Sequence, residues 1–149
     1  MSPVHVEESV RIARSPAEVW EAIADYSFDL RWRKGLEEMA PDPPGPPAVG
    51  TKVHEVLRTS GREYVADTVV TELDPGVSYR FAGEGTIGAL GGGRRVTASP
   101  DGAGAVFAYA VELEPRGAMR FLGPLLRRTV RSGLKRDLQQ LKALLEGDR

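Results

Sequence analysis

Cysteine is missing from all 149 residues, so neither disulfides nor thiolate–metal sites can be part of the design. Histidine is nearly missing: His5 and His54 are too few for an imidazole metal site, and no metal or cofactor is expected. Charge of one sign is missing too. A formal net charge of −1 with 28% charged residues describes an ordinary solvated surface, with no global pull toward nucleic acid or acidic substrates. No stretch approaches the roughly 20 apolar residues that a membrane-spanning helix needs. The opening MSPVHVEESVRIARS scatters charges where a signal peptide would carry an apolar core, so a cytoplasmic protein is expected.

What is present is pattern. Residues 4–13 alternate, with Val4, Val6, Val10 and Ile12 on one face and His5, Glu7, Ser9 and Arg11 on the other. Period two predicts a half-buried strand, interrupted only by Glu8 in the apolar row. At Ser15-Pro16 the period changes. Ser15 can cap a helix that starts Pro16-Ala17-Glu18, where proline loses no needed N–H and Glu18 completes a capping box. Val19, Trp20 and Ile23 supply its apolar stripe. A second short helix is predicted over Ser27–Arg33, with Phe28 and Trp32 on one side, ending at Gly35. A brief strand at Leu36–Met39 then runs into Pro41-Asp42-Pro43-Pro44-Gly45-Pro46-Pro47, read as a stiff surface loop.

From Thr51 to Leu113 the sequence reads as a meander of antiparallel hairpins. Its strands are Thr51–Thr59, Arg62–Leu73, Val77–Gly83, Arg94–Ser99 and Ala105–Leu113, joined at Gly-, Pro- and Asp-containing turns. Gly83–Gly93, rich in glycine, reads as a mobile loop at a cavity mouth. It does not lead from a strand into a helix, so it is no phosphate-binding signature. From Ala118 to Glu146, Leu122, Leu125, Leu126, Val130, Leu134, Leu138, Leu141, Leu144 and Leu145 recur at helical spacing. Gly133, inside this helix, costs roughly 1 kcal/mol relative to alanine. It is expected to mark a close approach by a neighbour.

One strand, two short helices, a run of hairpins and a long terminal helix is the order of the helix-grip, or START-like, fold. The residues Val10-Arg11-Ile12-Ala13-Arg14-Ser15-Pro16-Ala17-Glu18-Val19-Trp20 resemble that group's opening strand and "SPxxVW" helix start. Asp25 through Trp32 resembles its second helix, and Val49-Gly50-Thr51 resembles the "VGT" that begins its meander. Val70-Thr71-Glu72-Leu73-Asp74-Pro75 resembles a "VTELxP" turn, and Leu138 through Glu146 a closing "LxxLKxxLE". The chain is similar, over its full length, to the SRPBCC superfamily and within it to the polyketide cyclase/dehydrase branch. The resemblance implies one α+β domain over residues 1–149. A curved seven-stranded antiparallel sheet would grip the C-terminal helix around an apolar cavity. It implies no particular reaction. Aromatase/cyclases of this group carry tryptophan and arginine on a meander strand; Arg62–Leu73 has no tryptophan and only its first residue is arginine.

If the sheet wraps the helix, the cavity wall comprises Val53, Tyr79, Phe81, Phe107 and Tyr109 on the strands. Phe121, Leu122, Leu125, Leu126 and Thr129 would face them from the helix, with Trp32 closing one side. Aromatic walls with a few hydroxyls suit a flat, mostly apolar ligand. The alternative is that these residues simply fill the core. Glu55, in phase with Val53 and Leu57, and Asp67, between Val65 and Val69, are the candidate acid/base groups, because a buried carboxylate has a raised pKa. The competing reading pairs Glu55 with an arginine. His5 and His54 fall on solvated faces.

Three functions remain open: a binder of a small hydrophobic molecule, a cyclase or dehydratase, and a lipid-transfer protein docking through its basic terminal helix. That helix reads first as a solvated face. A polar, ionisable cluster deep in the cavity favours the enzyme, and an exposed apolar rim beside the basic helix favours transfer. Nucleic-acid binding has no supporting motif.

Overall fold

The computed structural model describes residues 3–147. Strand β1 (Val4–Ile12) leads through Ser15 into α1 (Pro16–Ile23), and the capping box forms as the sequence predicts. The Ser15 hydroxyl accepts from the Glu18 amide at 3.1 Å, and the Glu18 carboxylate accepts from the Ser15 amide at 3.0 Å. The predicted second helix is two pieces, a 3-10 turn at Tyr26–Phe28 and one turn of α-helix, α2 (Asp29–Trp32). Asp25 caps the first piece, its side chain accepting from the Ser27 amide and hydroxyl, so the helical segment starts at Tyr26.

Six strands follow: β2 (Leu36–Asp42), β3 (Lys52–Thr59), β4 (Arg62–Asp74), β5 (Ser78–Gly85), β6 (Gly88–Ala98) and β7 (Ala105–Pro115). A 3-10 turn (Gly117–Leu122) leads into α3 (Gly123–Gly147). The seven strands form one antiparallel sheet in the order β1-β7-β6-β5-β4-β3-β2, so the first strand closes against the last. Two expectations need correction. Strand β2 runs to Asp42, into the proline run, because as an edge strand it tolerates a residue with no N–H to donate. The glycine-rich stretch is not a loop: all but Thr86 and Ile87 of it belong to paired strands. A Cβ at Gly83 or Gly92 would collide with the carbonyl of Asp67 or Ala110, so glycine lets the sheet coil tightly there.

Alternation decides which side chains look inward. Val6, Val10 and Ile12 of β1, Phe107 and Tyr109 of β7 and Val96 of β6 meet Val19 and Ile23 of α1, Trp32 of α2 and Leu134, Leu138 and Leu141 of α3. Each such buried aliphatic side chain stabilises by roughly 1.5–3 kcal/mol. Helix α3 lies along β1 and touches α2. Its C-terminal half is also tied by polar contacts. Asp137 accepts from the Lys34 amide, Lys142 donates to the Arg11 carbonyl at 2.8 Å, and Glu146 accepts from the Ala13 amide at 2.8 Å. Gly133 sits in none of these contacts. A Cβ there would meet only the Arg136 guanidinium, at 3.5 Å, so the expected close approach is absent.

Candidate functional site

Beneath the concave face, charges form a chain. Asp29, first residue of α2, and Arg94, on β6, are both fully buried and joined by two hydrogen bonds of 3.1 and 2.5 Å. Arg94 also donates to the Ile23 carbonyl at 3.0 Å and to the Tyr109 hydroxyl at 3.4 Å. Three rings surround its guanidinium, with centroids 4.6 Å (Tyr109), 5.2 Å (Trp32) and 6.0 Å (Tyr79) away. Burial opposes the arginine's charge, but Asp29 and the tyrosines outweigh it, and its pKa lies well above the ordinary value. Arg33, one turn after Asp29, touches it at 3.4 Å and reaches on to Glu55 with bonds of 3.1 and 2.8 Å.

Glu55, Tyr26 and Tyr79 exchange no proton near neutrality. Burial pushes the Glu55 carboxyl up, but Arg33 and Arg94 pull it further down, so it stays ionised below the usual carboxylate range. Burial raises Tyr26 to about 12 and Tyr79 well above its ordinary value, so both keep their protons. The Arg94 chain is therefore a neutralised brace that fixes α2 under the sheet.

Beyond the brace the concave face is open. Helix α3 lies over β1, and Leu57 of β3, Tyr64 of β4 and Phe81 of β5, though inward, are covered less fully than Phe107 and Tyr109 of β7. Register puts Glu55 and Leu57 beside Ala66 and Tyr64, then Gly85, Gly83 and Phe81, then Leu90 and Gly92 of β6, then Val111. Apart from Gly92, all are half-buried. These positions form a half-covered strip of the curved sheet, the trough, apolar along most of its length and with the Arg33–Glu55 pair at one end.

A profile of the family described as polyketide cyclase / dehydrase and lipid transport matches residues 3–146. The chain belongs to that family. Family and fold together place it in the SRPBCC superfamily. A START superfamily protein from Mycobacterium smegmatis superposes with a TM-score of 0.78 at 12% identity, over 96% of this chain and 97% of that one. Ara h 8.0201 gives 0.74 at 13% identity, over 99% and 100%. The di-domain ARO/CYC StfQ from the steffimycin biosynthetic pathway gives 0.77 at 14%, over 97% of this chain and 52% of that one. At such identities the likeness is one of fold. No curated protein sequence matches the chain.

Against this family fold the candidate residues separate into three groups. Trp32, Val53, Tyr79, Phe107, Tyr109 and Leu126 are buried. All but Val53 belong to the main core cluster. Phe81 and Glu55 face the trough. Phe121, Leu122, Leu125 and Thr129 are exposed, so the helix wall expected from them is not formed. The reason is angular: Leu125 is about 160° around the helix from Leu141, at 100° per residue, and Leu141 is in the core. Asp67 also needs correction. It is on the convex face, bonded to His54 Nδ1 at 2.7 Å, because Tyr64, Ala66, Thr68 and Val70 take the inward positions of β4.

Sequence reasoning missed Asp29, Arg33 and Arg94. The i, i+4 spacing of Asp29 and Arg33 was a signal for one link. Nothing local pairs Asp29 with an arginine 65 positions away. The buried meander arginine stands on β6, not on β4.

Proposed function

We propose that the chain binds one small hydrophobic molecule, aromatic and polyketide-like or lipid-like, in the trough over β3–β6. Its polar end would turn toward Arg33 and Glu55. The observation that carries this reading is the set of inward apolar side chains, Leu57, Tyr64, Phe81 and Leu90, left half-covered by the fold's own helix. Covering what remains exposed adds roughly 1 kcal/mol per side chain. The paired Arg33 and Glu55 offer a ligand hydroxyl or carbonyl both an acceptor and a donor edge.

The cyclase or dehydratase alternative requires a group that passes a proton at neutral pH. Glu55 is ionised and both its oxygens accept from Arg33, which weighs against that role. Asp67 faces away from the trough.

Titration with an environment-sensitive apolar dye tests the proposal. The parent protein should bind about one equivalent. Ala66→Trp, which projects a large ring from the middle of the floor, should weaken binding at least tenfold with the thermal melt unchanged. Equal affinity in parent and variant would show that the trough is not the site.

A further inference from the structure

The fold requires one apolar stripe on α3, and the chain carries two. Leu126, Val130, Leu134, Leu138 and Leu141 form the inner stripe. Phe121 and Leu122, at the end of the 3-10 turn, and Leu125, in the first turn of α3, form an outer one, 70%, 43% and 57% exposed. Leu125 and Arg128, three residues apart on α3, share a face, and Phe121 and Leu122 lie just before them. The surrounding charge is of one sign. Between Arg116 and Arg136 come Arg120, Arg127, Arg128, Arg131 and Lys135, and the first acid is Asp137. Arg120 lies over the Phe121 ring at 4.9 Å. Arg116 pairs with Glu84 and Arg131 with Glu8, whereas Arg127 and Arg128 make no ion pair among the described residues.

We propose that this outer face docks on the surface of an anionic lipid bilayer. Phe121, Leu122 and Leu125 would enter the headgroup boundary while Arg120, Arg127 and Arg128 meet lipid phosphates and carboxylates. A solvated helix face has no use for three large apolar side chains, and a neutral apolar partner has no use for unpaired arginines. An anionic membrane interface uses both. Each arginine brought near such a surface raises affinity on the order of fivefold. The docking face shares no residue with the trough, so this inference stands whether or not the trough holds a ligand.

Co-sedimentation with vesicles of phosphatidylcholine alone and of phosphatidylcholine with phosphatidylserine decides it. The full chain should bind the anionic vesicles, bind the neutral ones much less, and release as salt rises. Phe121→Ser with Leu125→Ser should reduce binding about tenfold or more, and so should Arg127→Glu with Arg128→Glu. All these positions are exposed, so circular dichroism melts should match the parent. Ala66→Trp should bind vesicles as the parent does, which separates this face from the trough. Absence of binding to anionic vesicles overturns the proposal. So does unchanged binding by both double variants. Sedimentation velocity covers the rival occupant: a dimer lost in Phe121→Ser/Leu125→Ser, without vesicle binding, would assign the face to a second copy of the chain.

Discussion

At the residue scale the Asp29–Arg94 pair sets the largest single cost. Asp29→Asn leaves a buried guanidinium facing a neutral amide. Breaking such a pair costs about 3–5 kcal/mol, much of a domain's total stability. Urea denaturation should show that loss, and Asp29→Leu with Arg94→Met should recover most of it by replacing charge with packing. An Asp29→Asn midpoint equal to the parent's would mean the pair does not hold α2 in place. Glu55 gives a prediction in pH. Its folded pKa lies below the ordinary 4.5, so its contribution is complete above that value. It is lost as pH falls through the depressed value. Below about pH 4.5, stability of the parent should therefore fall more steeply than that of Glu55→Gln. The inward orientation of Glu55 was legible from its phase with Val53 and Leu57. That of Asp67 was not, because β4 is apolar on both rows: Val65 and Val69 outside, Tyr64, Ala66 and Val70 inside. Hydrophobic period cannot choose between such rows.

At the scale of elements, the two ends of α3 differ: the C-terminal half is tied to the sheet and the start leaves Leu125 exposed. Leu141→Ala, in its anchored half, should cost about 2–5 kcal/mol, while Leu125→Ala should shift stability by less than about 0.5 kcal/mol. Gly133→Ala should stabilise by up to about 1 kcal/mol, since the added methyl meets only a flexible guanidinium. Chemical denaturation of the three variants checks all three figures, and a destabilised Gly133→Ala would expose a constraint at that turn. The helix itself was legible from its leucine spacing, as β1 was from alternation and α1 from its cap. Gly88–Gly93 was not, because glycine carries no side-chain pattern. Strand there is imposed by β5 and β7 on either side.

At the scale of the whole molecule, the order of elements was readable and the position of the helix against the sheet was not. Leu122, Leu125 and Leu126 satisfy helical spacing equally well, and only packing decides that Leu126 turns inward while the other two stay out. That difference leaves Leu57, Tyr64, Phe81 and Leu90 half-covered, with no wall from Phe121, Leu122 and Leu125. It also takes Thr129, expected in the cavity wall, out of the site. Thr129→Trp, on an exposed position, should leave dye binding unchanged, whereas Ala66→Trp should block it; the opposite pattern would return the site to the helix. The sheet's two borders bear on how copies of this chain meet one another. An unpaired strand edge invites another strand to add to it. At β1 the last backbone groups are already taken, since Ala13 donates to Glu146 and Arg11 accepts from Lys142. At β2 the pairing with β3 shifts between Leu36 and Glu38, Pro41 has no N–H to offer, and Glu37, Glu38 and Asp42 add like charge. Each border thus carries features that disfavour a further strand, which favours a sheet that stays at seven strands.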